Sequence, residues 1–260
     1  LARRPSLRDP TNYRRLGTLP SQKKKCVDGV TAQSRALVVR VARQLIHRTL
    51  MLDYKIKRPF GPPLYQSTVG DSFLSVLKEI SEETKSKRIS IGNRLAGNVT
   101  TQLEAVLLPK HRARFISELH DHIFDALTGF DYDGSKEAIL KNATQIKFNL
   151  GGGPWINYQL PGDFQPYHGH TGLLSGVIYI NVPDVIAKEN SSKESNNPTA
   201  GKIAFISGNE FYVTSSEYNH QPVTGEILIF PSCLKHQVYP FKSDVERVSM
   251  SFNVYDIKVE

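Results

Sequence analysis

With 260 residues, 39% of them apolar and 22% charged, the chain is long enough to bury a sizeable core. Its two cysteines, Cys26 and Cys233, exclude a disulfide framework and a cysteine-based zinc site, and no apolar run approaches the roughly 18–20 residues that span a bilayer. The formal net charge of +8 is uneven, gathered in Arg3, Arg4, Arg8, Arg14, Arg15 and Lys23-Lys24-Lys25, and again in Lys85, Lys87, Arg88 and Arg94. Such an excess either keeps a tail solvated or attracts nucleic acid, an acidic protein or an anionic surface.

Residues 1–30 mix Arg, Lys, Pro, Ser and Gly without periodicity, as an irregular basic arm does. Leu1-Ala2-Arg3-Arg4-Pro5 does not lead into a signal-peptide core, and a reducing, cytoplasmic location is expected. From Ala32 to Leu52 the apolar residues Leu37, Val38, Val41, Leu45 and Leu50 recur at helical spacing. Asp71 is placed to cap a second helix carrying Phe73, Leu74, Val76, Leu77 and Ile80. A third helix is expected from Lys110 to Leu127, with Phe115, Leu119, Ile123, Phe124 and Leu127 as its apolar stripe. Residues 31–142 are thus expected to form a helical support region.

The period then changes. Short β-branched or aromatic segments are expected as strands at Ala143–Phe148, Trp155–Leu160, Leu174–Val182, Lys202–Phe205, Glu210–Val213, Glu226–Phe230, His236–Tyr239 and Arg247–Tyr255, separated by Gly, Pro, Asp and Asn turns. The polar stretch 188–200 is expected to be a mobile insertion, a candidate lid. The class predicted is α+β: a β-barrel over 143–260 with helices on one side and the chemistry in its mouth.

His168-Gly169-His170 and the later His236 are the candidate metal ligands. Two imidazoles at i and i+2 on a strand share a face, and a third from another strand completes one side of an ion. His47, His111, His120 and His122 lie in or beside helical stretches and are assigned no role; on a helix, i and i+2 diverge by about 200°. In Arg247-Val248-Ser249-Met250-Ser251-Phe252-Asn253 the odd-numbered residues are polar, so Arg247, Ser249, Ser251 and Asn253 share a face. A hairpin near 241–243 is expected to bring that strand back beside His236. Arg247 and Ser249 together suit a carboxylate ligand, the alternative being an internal ion pair of Arg247 with Asp163 or Asp244.

The segments Pro161-Gly162-Asp163…His168-Gly169-His170…Ser175-Gly176-Val177-Ile178-Tyr179-Ile180 and Gly225-Glu226-Ile227-Leu228-Ile229-Phe230-Pro231-Ser232…His236…Arg247-Val248-Ser249 resemble the iron(II)- and 2-oxoglutarate-dependent oxygenases, in particular the prolyl-hydroxylase-like branch with its bacterial and phage members. The resemblance covers roughly residues 145–255. It implies a double-stranded β-helix (a jelly-roll or cupin-like barrel) and a dioxygenase that hydroxylates a C–H bond, most simply on a peptidyl, prolyl-type substrate. Fe(II) would sit on His168, His170 and His236, and 2-oxoglutarate would serve as cosubstrate. Arg247, helped by Tyr179 and Ser249, would hold the far carboxylate; Asn157 and Asn253 would line the substrate pocket. Ascorbate would act as reductant. The partner expected is a protein, peptide or small molecule; nucleic acid is less favoured and a membrane is not expected.

One departure stands out: the family's His-x-Asp pair has His170 in the place of Asp, which removes a negative charge from the metal, and Asp163 is the weaker alternative source of a carboxylate. Two rival readings follow. One is a non-catalytic binding protein on a degenerate oxygenase fold, using its basic arm to grip nucleic acid or a partner. The other is a cupin-like metal enzyme with no oxo-acid cosubstrate.

Overall fold

The computed structural model describes residues 53–59, 61–130, 146–191, 198–209, 212 and 215–259. The basic arm, the helix expected over 32–52 and most of the strand expected at 210–213 lie outside the described residues, as do 192–197 of the expected insertion.

Two strands, β1 (Tyr54–Lys57) and β2 (Leu64–Thr68), precede helix α1 (Asp71–Lys87); β3 (Thr101–Glu104) precedes α2 (Pro109–Gly129). Then follow β4 (Ile146–Asn149), β5 (Trp155–Gln159), β6 (Gln165–His168), β7 (Leu174–Asn181) and the short α3 (Asp184–Glu189). The chain ends with β8 (Ile203–Ile206), β9 (Glu217–His220), β10 (Glu226–Pro231), β11 (Lys235–Val238), β12 (Arg247–Val254) and β13 (Asp256–Val259). Asp71 is the first helical residue of α1 rather than its cap; Gly70 takes the cap position without a side-chain bond. The Asp71 charge still lies in the first turn, where it suits the helix dipole. In α2, Pro109 fixes the first turn, where a missing N–H costs nothing.

The strands form a seven-stranded antiparallel sheet in the order β1-β2-β10-β7-β12-β5-β3, a four-stranded sheet β6-β11-β8-β9, and the pair β13-β4. Residue parity on the large sheet decides what each face touches. Ile156, Tyr158, Ile178, Ile180, Ile227, Ile229, Val248 and Met250 point into one core with Phe73, Leu77 and Ile80 of α1 and Phe115, Leu119 and Ile123 of α2. Their neighbours one step along, Val177, Tyr179, Leu228 and Phe230, point the other way and pack with Ile203, Phe205 and Val238 of the small sheet. Both faces of β7 and β10 are therefore covered, which is why these segments read as largely apolar runs. Buried polar contacts pin the helices to the sheet, among them Tyr65 hydroxyl to His122 Nδ1 at 2.8 Å and Tyr158 hydroxyl to Ser81 O at 2.7 Å. Burial holds the His122 imidazole down at about 4, so it is neutral and can accept.

Three expectations change. The two large sheets do not close into a barrel; they face each other as separate hydrogen-bonded sheets. The support region between residues 31 and 142 is not helix alone, because β1, β2 and β3 extend the large sheet. And β11 and β12 do not form a hairpin pair: β11 bonds to β6 and β8, β12 to β5 and β7. No helix among the described residues is long and apolar enough to cross a membrane.

Candidate metal centre and carboxylate pocket

A narrow pocket opens between the two sheets. Its walls include His168, His170 and His236 at one side and Arg247, Gln159 and Tyr179 at the other.

His168 ends β6 and stands opposite His236 of β11 in register. His170 lies two residues past the end of β6, where its backbone N–H donates to Ser232 O at 2.9 Å. The turn, not strand alternation, brings the second imidazole round; the expectation of two ligands on one strand face is corrected accordingly. The ring centroids are 4.3 Å (168–236), 5.0 Å (168–170) and 5.1 Å (170–236) apart. One nitrogen from each residue falls within 4.8 Å of the other two. Two metal–nitrogen bonds of about 2.1 Å span about 4.2 Å at most, so a small inward tilt of the rings seats an ion.

The chemistry of the donor set suits a cation. His168 Nδ1 lies 2.7 Å from Pro166 O and His236 Nδ1 lies 3.0 Å from Leu234 O. A carbonyl can only accept, so each Nδ1 carries the proton and each Nε2 keeps its lone pair for a metal. Burial lowers all three imidazoles: His170 to about 4, with His168 and Lys235 adding to the shift, and His236 to about 3, with His168 the next cause. His168 moves in the same direction, partly opposed by the Pro166 carbonyl. Neutral imidazole is the ligating form. Asp163 is not a ligand: Thr100 N and Oγ1 donate to its carboxylate at 2.9 Å and Leu160 N at 3.0 Å.

Arg247 is 2% exposed, yet no carboxylate pairs with it among the described residues, and neither Asp163 nor Asp244 meets it. Its Nε donates to Gln159 Oε1 at 3.0 Å, its Nη2 donates to the same oxygen, and its Nη1 donates to Gly201 O. Gly201 has φ +65°, and a Cβ there would lie 2.3 Å from Ile186, so the turn that aims its carbonyl requires glycine. Burial pulls the guanidinium down from its ordinary value, opposed by Tyr179; the Tyr179 phenol is pushed up by burial. A buried cation without a countercharge is costly, since the Coulombic compensation of an ion pair is missing.

Ser249 stands in register with Asn157 on one side and Tyr179 on the other, and all three line the pocket. Asn157 Oδ1 accepts from Gln102 at 2.9 Å and its amide donates to Ser251 at 3.2 Å; Asn253 accepts from Ser175 at 2.7 Å. The polar face expected on β12 is therefore present. Sequence reasoning missed two pocket residues, Trp155 and Gln159. Both share the face of Asn157 at i±2 on β5, and that parity was the available signal. Among the described residues Trp155 Nε1 and Gln159 Nε2 are buried with no hydrogen-bond partner, two donors that a pocket occupant could satisfy.

Residues 153–253, which include the three histidines, Gln159, Tyr179 and Arg247, match the family described as "Putative 2OG-Fe(II) oxygenase". No curated protein matches the chain. Among solved structures the chain is similar to a Pseudomonas putida prolyl-4-hydroxylase, at 12% identity over 82% of this chain and 98% of that one, with a TM-score of 0.45. It is also similar to a Trichoplax adhaerens prolyl hydroxylase in complex with a hypoxia inducible factor oxygen degradation domain peptide fragment (15%, 87% and 94%, TM-score 0.45). A 2OG-Fe(II) oxygenase family oxidoreductase from Burkholderia pseudomallei is a further likeness (12%, 86% and 79%, TM-score 0.36).

Proposed function

We propose that the chain is a non-heme Fe(II)- and 2-oxoglutarate-dependent dioxygenase that hydroxylates a C–H bond, on a peptidyl, prolyl-type substrate. We read its two facing sheets as an open double-stranded β-helix. The observation that carries the proposal is the pairing, in one pocket, of three neutral imidazoles with a buried guanidinium that has no carboxylate of its own. A ligand with a metal-chelating end and an anionic far end supplies what each side lacks.

In this reading His168, His170 and His236 hold Fe(II) through Nε2. The 2-oxo acid and iron supply dioxygen activation, so that substrate C–H, O2 and 2-oxoglutarate give substrate C–OH, succinate and CO2. The protein's part is placement. Arg247 fixes the far carboxylate with Tyr179 and Ser249; the two covered sheets exclude water from that end. Asn157 and Asn253 shape the floor. Phe164 and Tyr167, chain neighbours of the pocket residues Gln165 and His168, are exposed and offer apolar surface that suits a peptide. Ascorbate serves as the reductant of stray ferric ion.

His170 favours a second reading, a binding protein on the same fold that turns nothing over, because a third imidazole leaves the ion one negative charge short of the family pattern. Anaerobic protein with ferrous iron, scanned with and without 2-oxoglutarate, separates the two. The oxygenase gives a visible charge-transfer band on adding the oxo acid, and aerobic succinate release stimulated by a proline-rich peptide more than by single-stranded DNA. Full iron loading with neither band nor succinate sinks the enzymatic proposal.

A further inference from the structure

Gln159 is 2% exposed, lines the pocket and stands opposite Arg247 in the register of β5 and β12. A guanidinium has five N–H donors and no acceptor, so the amide must turn its oxygen toward it. Oε1 does accept from Arg247, from Nε at 3.0 Å and from Nη2. The amide orientation is thereby fixed by chemistry, and the NH2 group faces away from Arg247. That nitrogen is buried and has no hydrogen-bond partner among the described residues. Asn157, two residues back on the same face, shows the contrast: both ends of its amide are bonded, to Gln102 and to Ser251. Buried amide donors are ordinarily paired, and at Gln159 only an occupant of the pocket can provide the acceptor.

We propose that Gln159 is a cosubstrate ligand: its amide NH2 donates to the far carboxylate of 2-oxoglutarate beside Arg247, and so selects a dicarboxylic over a monocarboxylic 2-oxo acid. The assignment rests on the oxygenase reading above. A carboxylate has about four lone-pair sites and no donor, so a cation alone leaves some of them dry in a buried pocket. Arg247 provides the charge, and Gln159 adds a neutral donor while holding that cation in place. Glutamate at the same position would keep the oxygen that holds Arg247, delete the donor and neutralise the cation.

The test uses the full chain loaded with Ni(II), which binds without turnover. Trp155 is the single tryptophan of the sequence and its ring lies 6.0 Å from His170, so its fluorescence reports on the pocket. Wild type and the variants Gln159→Glu and Gln159→Leu are titrated with 2-oxoglutarate and with 2-oxobutyrate, which lacks the far carboxylate. Hydrogen bonds to charged acceptors predict that Gln159→Leu weakens 2-oxoglutarate binding about tenfold, and Gln159→Glu on the order of a hundredfold. Affinity for 2-oxobutyrate stays within about twofold, and Ni(II) affinity and melting temperature report that the fold is intact. If either folded variant keeps wild-type affinity for 2-oxoglutarate, or loses both acids equally, the assignment is overturned. If wild type takes up Ni(II) but neither acid, the oxygenase reading fails first and this assignment with it.

Discussion

At the metal end of the pocket, three imidazoles from β6, the turn after it and β11 are kept neutral by burial. At the other end, on β5, β7 and β12, the Arg247 guanidinium is buried and, among the described residues, donates to the neutral oxygens of Gln159 and Gly201. The first arrangement costs little in the empty protein, because neutral rings tolerate a low dielectric. The second is unfavourable until an anion arrives. The comparison teaches that the two ends are built for different partners, and that the Arg247 end is where function opposes stability.

The sharpest way to break that contrast is Arg247→Leu. Removing the buried cation at that end is expected to weaken 2-oxoglutarate binding by about three orders of magnitude, the scale of truncating one member of a buried charge pair. The melting temperature of the ligand-free protein should hold or rise, since an uncompensated buried cation has gone. A variant that melts lower and still binds the oxo acid would contradict both halves. At the other end, His236→Ala should lower Ni(II) or Fe(II) affinity on the order of a hundredfold, one ligand's share of a site worth roughly 10–16 kcal/mol. Isothermal titration with the metal alone decides that without reference to turnover.

Whether burial really sets imidazole charge in this protein can be measured far from the pocket, at His122. Its folded-state value of about 4 lies below the ordinary 6.5, so the unfolded chain takes up the proton first as pH falls. Stability is therefore full above about pH 6.5 and declines toward pH 4, by up to about 3 kcal/mol. Chemical denaturation between pH 7.5 and about 4.5 should show the decline, and His122→Gln, which still offers Tyr65 an acceptor, should remove the His122 share of it and leave the share of His168, His170 and His236, lowered in the same direction. The smallest expected effect is Tyr179→Phe: loss of one hydroxyl donor to the far carboxylate, about tenfold in 2-oxoglutarate affinity and nothing in metal affinity.

Much of the site could be read from residue order. Arg247, Ser249, Ser251 and Asn253 alternate with Val248, Met250, Phe252 and Val254, and that alternation survives in the structure as two differently covered faces of β12. His236 stood out as a polar residue just past an apolar strand, and His168 through its His-x-His spacing with His170. What could not be read was which sheet each strand joins. Sequence proximity suggested that β11 and β12 pair, whereas a short crossing puts them in opposite sheets, and pairing is decided by long-range packing rather than by the local pattern. Strands β1 to β3 escaped notice because four or five residues carry too little periodicity. Gln159 was missed because a glutamine at a strand end looks like solvent-facing polarity until its cross-strand partner, Arg247, is known.

One consequence of the two-sheet arrangement concerns mechanics. His168 and His236 belong to the small sheet; Gln159, Tyr179 and Arg247 belong to the large one, and among the described residues no strand ladder joins the two. A molecule gripped at both ends acts as a rivet through the sandwich, so metal and oxo acid together should stiffen the protein more than the sum of each alone. Hydrogen exchange in β8 and β11 would register that synergy as slowed opening of strands that the ligand's far end never touches.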